Sequence, residues 1–389
     1  MFLLPLTTLL LLHTSTTAII STVVQETLVQ ERGLYWDVTP FNKSVNPNDV
    51  VDIHVIFSNH LDVGFNSRAW CDGGSLQGCI GPEITVDGQL CRPWSYYVIN
   101  ANMNTFLPRA AALATKLRNT TTKFTYMTQP FIVSFFMDCL ESGLTNWRNG
   151  TEHDTLLLEC PSKETMDLFH AAVLRGDIWW HAFPHNPMPG LYDASLFNSS
   201  LRIAMRHSDQ LGVRRPTTYS QRDETGITRA IVPLLSAAGV GMISLGSGGG
   251  TGGHPVIPDL FIWKDNATNT KVLFMFDHGY GGGLHVLPSN GVAAYCAWNT
   301  DNGGPMDERT VQQVYQDLRT KYPNANVHAS TFDIVKEIFL IAMTLFDNSL
   351  RYYFLNLLFE NVPLTHSFLI FFFNIMCTFF LLISCVLFF

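Results

Sequence analysis

Two hydrophobic rhythms alternate along this chain. Short apolar runs rich in β-branched and aromatic residues recur between Gly, Pro, Asn and Asp, and the stretches separating them repeat apolar positions every three to four residues. The short runs predict strands at Val51–Ser58, Lys123–Thr128, Asp177–Pro184, Thr217–Gln221, Gly241–Leu245, Phe261–Trp263, Val272–Phe276 and Asn326–Ser330. Helical spacing falls at Met103–Arg118, Thr165–Arg175, Asp193–Leu211, Thr228–Ala238 and Asp307–Lys321. Alternation of this kind predicts an α/β fold with a parallel sheet and right-handed crossovers. Its count fits a (β/α)7-8-type parallel barrel, in which chemistry gathers where strands end.

Both ends of the chain depart from that rhythm. Residues 1–18 carry an apolar Phe2–Leu12 core followed by Thr16-Thr17-Ala18, the pattern of a secretory signal with a small-residue cleavage site. Residues 19–49 read as a lead-in, and 50–333 as the barrel domain. From residue 334 the chain turns apolar, and His366–Phe389 is a stretch of 24 residues without Asp, Glu, Lys or Arg. About 20 apolar residues suffice to cross a bilayer. The reading for 334–389 is therefore a C-terminal hydrophobic helical tail, with 366–389 as a membrane-spanning candidate. Such a tail fits a truncated or mis-spliced product in which it replaces a second half.

Composition narrows the class. The 389 residues, 47% hydrophobic, allow a sizeable core, and the net charge of −8 with 24 scattered Lys and Arg leaves no phosphate-binding stripe, which argues against nucleic acid. Asn42, Asn119, Asn149, Asn198 and Asn266 each begin a glycan acceptor triplet, in keeping with a lumenal, secreted or membrane-anchored protein. Of eight cysteines, Cys71, Cys79, Cys91, Cys139, Cys160 and Cys296 lie in the body and none forms a CxxC pair. Disulfides in an oxidising lumen fit that spacing better than a zinc ribbon. Gly248-x-Gly250-x-x-Gly253 matches a dinucleotide fingerprint only formally, because His254-Pro255 and Pro258 forbid the helix such a site needs.

Candidate chemistry sits where the apolar runs stop. After Val51–Ser58 come Asn59, His60, Leu61, Asp62 and Gly64. In extended chain His60 and Asp62 face one side and offer a divalent ion, most readily Zn²⁺, one nitrogen and one oxygen. A plain polar strand end is the competing reading. Asp177-Ile-Trp-Trp-His-Ala-Phe-Pro-His185 follows the same logic: one of Trp179 and Trp180 can line a cleft against a sugar ring while the other joins the core. Trp180, His181 and His185 are substrate candidates there, and Asp193 is either a helix-start residue or a carboxylate turned into the cleft. Within Ser220-Gln-Arg-Asp-Glu-Thr-Gly226, Asp223 or Glu224 suits a general acid, with helix capping as the alternative for Asp223. Asp277, His278 and Tyr280 stand on a glycine-rich loop as a substrate wall or as a solvated turn.

Three segments in register carry a resemblance: His60–Phe65 (HLDVGF), Gly176–Asn186 (GDIWWHAFPHN) and Ser220–Ala230 (SQRDETGITRA). Over about Val51 to Asp333 the chain resembles the glycoside hydrolase family 38 α-mannosidases, and more closely an uncharacterised group related to them. The resemblance implies a zinc-dependent retaining glycosidase acting on α-mannose-type linkages in the secretory pathway, with His60 and Asp62 as zinc ligands. In those mannosidases the nucleophile is a carboxylate that also touches the metal. Aligning at Gly176 puts Pro189 near its place, with Asp193 as the nearest candidate nucleophile and Asp223 as the other catalytic carboxylate. The family continues into later domains that supply a further zinc-binding His, so a chain lacking them implies an alternative: a membrane-held, inactive glycan-binding protein. A zinc deacetylase on a similar barrel is a third reading.

Overall fold

The computed structural model describes residues 45–63, 98–138, 160–223, 226–247, 257–277, 279–281, 283–287, 291–299 and 302–341, and for 34–35, 68–71, 76–78, 84–86 and 89–97 the backbone path alone. The chain divides into two units, Met1–Leu340 and Ile341–Phe389, and every described residue but Ile341 belongs to the first. The body holds β1 (Asp52–Ser58), β2 (Tyr126–Thr128), β3 (Ile178–Trp180), β4 (Thr218–Asp223), β5 (Met242–Ser247), β6 (Leu260–Asp265), β7 (Thr270–Asp277), β8 (Leu284–Val286), β9 (Val292–Trp298) and β10 (Asn326–Ala329). Its helices include α1 (Leu107–Leu117), α2 (Pro130–Asp138), α3 (Lys163–Leu174), α4 (Ala194–Leu211), α5 (Ile231–Ala237) and α6 (Glu308–Lys321).

Eight strands form two parallel arcs. One runs β9-β1-β2-β3 with β10 also paired to β1, and the other runs β4-β5-β7. Ala182 N donates to Thr218 O at 2.8 Å and ties the end of β3 to the start of β4. Among the described residues no ladder joins β7 to β9, so the expected α/β class and parallel pairing are present while closure into a barrel is not shown. β6 returns antiparallel to β7 and β8 antiparallel to β9. The run read as Phe261–Trp263 is thus one arm of a hairpin rather than a parallel strand. Arg68–Cys71, Leu76–Gly78, Ile84–Val86 and Gln89–Pro93 make a separate antiparallel sheet in which Cys71 lies opposite Cys91.

β1 is central because Ile53, Val55, Ile56 and Phe57 have no exposed face: each is at most 1% accessible. A strand buried on both sides reads as a continuous apolar run, which is the parallel-sheet signature. Two apolar clusters back the arcs, one built on β1, β2, β3, α1, α2 and α6, the other on β4, β5, β7, α5 and Phe197 of α4. Helix starts follow short polar caps: Asp193 Oδ1 accepts from Leu196 N at 2.7 Å and Asp307 Oδ1 from Thr310 N at 2.7 Å.

The boundary drawn at Asp333 falls inside a helix at 332–341. Phe332, Val335 and Phe339 are buried, Asp333 Oδ1 accepts from Thr217 N at 2.9 Å, and Lys336 Nζ donates to Thr217 Oγ1 at 2.8 Å. The first turns of the apolar segment therefore pack on the body. The segments 1–18 and 366–389 lie outside the described residues, and among the described residues no helix is long and apolar enough to cross a membrane. Of the glycan acceptors, Asn119 and Asn266 are exposed in turns, Asn198 is half-buried in α4, and Asn42 and Asn149 lie outside the described residues.

Candidate metal centre

Five strand ends contribute to one cluster. β1 delivers His60 and Asp62, β4 ends in Asp223, and Tyr280, Asn186 and Asn302 follow β7, β3 and β9. His60, Asp62 and Asp223 each place one ligand atom within 4.8 Å of the others. His60 Nε2 lies 3.3 Å from Asp62 Oδ2, and both residues are buried. Asn302 Nδ2 donates to Asp62 Oδ2 at 2.8 Å while its Oδ1 accepts from Asp62 N at 2.9 Å. Asn186 Nδ2 reaches Asp62 Oδ1 at 3.3 Å. Burial pushes the Asp62 carboxyl up, but hydrogen bonds from His60, Asn302 and Asn186 outweigh it and hold the group below the usual carboxylate range.

Asp223 has a φ of +73° and Asn302 one of +49°, conformations that L side chains rarely adopt. Two such residues at one cluster mark a place where the surroundings over-determine the backbone. Tyr280 donates its hydroxyl to Asp223 Oδ1 at 2.6 Å, and its ring lies 5.2 Å from His60. Trp298 stacks on the His60 ring at 5.8 Å with a 3° interplanar angle. Gly281 permits this packing, because a Cβ there would sit 2.8 Å from Trp298 Cβ.

One imidazole and two carboxylates, all within reach of one point, form a donor set that fits Zn²⁺ among the divalent ions. His60 and Asp62, read as ligands, are brought together, and Asp223, read as a catalytic carboxylate, joins them. Tyr280 borders the same cluster. His185 is half-buried, near Asp62, with Nε2 3.4 Å from Tyr192 Oη, and burial lowers its pKa.

Other expected site residues are placed elsewhere. Trp180 is 3% exposed, packs in the core and donates Nε1 to Ala204 O at 3.2 Å, so it is the inward-facing member of the tryptophan pair. Trp179 donates its indole N–H to Gly176 O. His181 is fully buried, its Nδ1 accepts from Phe183 N at 3.3 Å, and burial reinforced by Arg222 lowers its pKa to about 3. Asp277, expected on a substrate wall, pairs instead with Arg222 at 3.2 Å and with His285 at 2.8 Å, out of solvent. Asp193 is exposed and committed to capping α4. Glu224 and His278 lie outside the described residues. The contributions of Asn186, Asn302 and Trp298 went unread in sequence, although Asn299 and Asn302 do follow an apolar run, the signal that singled out His60.

The fold and site together define an α/β protein with a three-donor, metal-type cluster at its strand ends. No protein-family model matches the chain, and no curated protein matches it in sequence. Among solved structures it is similar to an alpha-mannosidase from Enterococcus faecalis V583 (TM-score 0.45, 11% identity, 73% of this chain and 28% of that one). It is also similar to a 4-alpha-glucanotransferase from Thermococcus litoralis (TM-score 0.38, 11% identity, 73% of this chain and 37% of that one). The chain thus spans well under half the length of either, and at these scores the likeness does not bear on the chemistry of the site.

Proposed function

We propose that this protein is a zinc-dependent retaining glycosidase for α-mannose-type linkages, working in the secretory pathway. The observation that carries the reading is the convergence of His60, Asp62 and Asp223 from two separate strand ends. The three sequence segments that resemble family 38 supply the substrate class. His60, Asp62 and Asp223 would hold the zinc, which when bound would engage sugar hydroxyls and favour ring distortion.

The nucleophile belongs on Asp223 rather than Asp193. Asp193 is spent as an exposed cap, whereas Asp223 stands beside the metal ligands, as the resemblance requires of the attacking carboxylate. Tyr280 takes one Asp223 oxygen and orients the other. In a retaining reaction that oxygen bonds the anomeric carbon as the glycosidic C–O bond breaks. A second acid protonates the leaving oxygen, and water later hydrolyses the ester. Glu224, the other acid candidate read in the sequence segment Ser220–Gly226, would take that part. The disulfide at Cys160 supports an oxidising compartment.

Asp62→Ala should abolish both zinc binding and hydrolysis of an aryl α-mannoside, and retained hydrolysis would refute the assignment. The competing reading, carried by the sequence, is a glycan-binding protein without turnover. Measurable release of the aryl group by the wild-type chain rules that out.

A further inference from the structure

Arg222 is among the largest side chains that this fold buries completely, at 0% exposure. A guanidinium taken out of water is costly unless its donors and charge are met. Its Nη1 donates to Gln221 O at 2.9 Å and Ser244 O at 2.8 Å, and its Nη2 to Ser244 Oγ at 2.7 Å and Asp277 Oδ2 at 3.2 Å. The other Asp277 oxygen holds His285 Nε2 at 2.8 Å. Room for the arginine stem is cut from the opposing strand, since a Cβ on Gly246 would lie 2.5 Å from Arg222 Cδ.

The pair lies directly behind the metal centre and reaches it along three routes. Asp223 is the next residue in the chain. The Arg222 backbone N donates to Asn186 Oδ1 at 2.9 Å, and the Asn186 amide donates to Asp62. The guanidinium lies 5.1 Å from the Trp298 ring, which stacks on His60. Each of the three donors is therefore one intermediary, or one peptide bond, from Arg222.

We propose that the buried Arg222–Asp277 pair is the positioning device of the metal centre, fixing His60 through the Trp298 ring, Asp62 through Asn186, and Asp223 through the strained peptide between them. Arg222 acts through other groups and is a positioning residue, not a catalytic one. The proposal rests on the reading that His60, Asp62 and Asp223 hold zinc.

The test is zinc affinity of the full chain, measured by competition against a chromophoric chelator, with thermal unfolding of the metal-free protein in parallel. Arg222→Lys keeps a charge but cannot lie flat on Trp298 while spanning Ser244 and Asp277, and zinc binding should weaken about 10- to 100-fold. Trp298→Leu leaves the ion pair intact and should weaken binding to a similar extent, whereas Trp298→Phe keeps a ring on His60 and should stay within about threefold of wild type. If Arg222→Lys fails to fold, the Trp298 pair decides alone. Lowered unfolding temperatures with zinc affinity unchanged would mean a merely structural role and overturn the proposal. A wild-type chain that binds no zinc would overturn the zinc reading itself, a result distinct from unchanged affinity across the variants.

Discussion

Asn302→Ala probes the cluster without touching a ligand. The side chain supplies two bonds, a 2.8 Å donation to the Asp62 carboxylate and a 2.9 Å acceptance from the Asp62 amide. A hydrogen bond to a charged group contributes about 1.5–3 kcal/mol, and a buried amide left without an acceptor costs about 1–3 kcal/mol. The backbone adds a third effect, because φ is +49° and alanine tolerates the left-handed region less well than asparagine, by about 1 kcal/mol. The three sum to roughly 3.5–7 kcal/mol, reduced if water enters the space. Asn302→Gly separates them: it loses the same two bonds but relieves the backbone, and should be about 1 kcal/mol more stable than Asn302→Ala. The assay is urea unfolding at pH 7 in the presence of a chelator, so that metal linkage does not enter. A loss below about 1 kcal/mol for Asn302→Ala would refute the account of how Asp62 is held.

Other expectations follow from the same contacts. Tyr280→Phe removes the 2.6 Å bond to Asp223 and should cut turnover of an aryl α-mannoside about tenfold while lowering stability by only about 1 kcal/mol. Asp277→Asn strands the Arg222 cation and should cost about 3–5 kcal/mol in urea unfolding, far more than the exposed pair Lys163–Asp167 could show on breaking. Acid should destabilise the fold well above the usual carboxylate range. Burial, with His328 beside it, lowers His54 to about 4, and burial with Arg222 and His185 lowers His181 to about 3. Both imidazoles stay neutral in the fold while the unfolded chain takes up protons below about pH 6.5, so stability is lost as pH falls from about 6.5 toward 4. For His181 alone the loss is roughly 2 kcal/mol between pH 7 and pH 5. A flat unfolding free energy across that interval, followed by urea titrations at each pH, would contradict it.

The strands that carry His60 and Asp223 were legible because each is an apolar β-branched or aromatic run that stops at polar residues. β9 was not, although it pairs with the whole length of β1. Its Ala293, Ala294 and Ala297 are weak strand formers, although all three are buried. Turn residues did bound it, Asn290-Gly291 before and Asn299 after. Missing β9 also hid Trp298 and Asn302. The Arg222–Asp277 pair was illegible for a different reason, since the two charges are 55 residues apart and meet only across the sheet. In sequence Asp193 reads as a first-turn residue or a carboxylate turned into the cleft, and the structure places it one position earlier, as the cap of α4.

β1 leaves the ribosome early, but its partner strand β9 and the residue that anchors Asp62 come much later, with 240 residues between Asp62 and Asn302. Contacts this distant in sequence form slowly and late. During synthesis the apolar β1 therefore precedes two of its partners, β9 and β10, and unpaired strand edges of this kind are templates for pairing with other chains. Completing the cluster therefore depends on chain that emerges late: a polypeptide ending before Asn302 would lack the side chain that bonds both the carboxylate and the amide of Asp62.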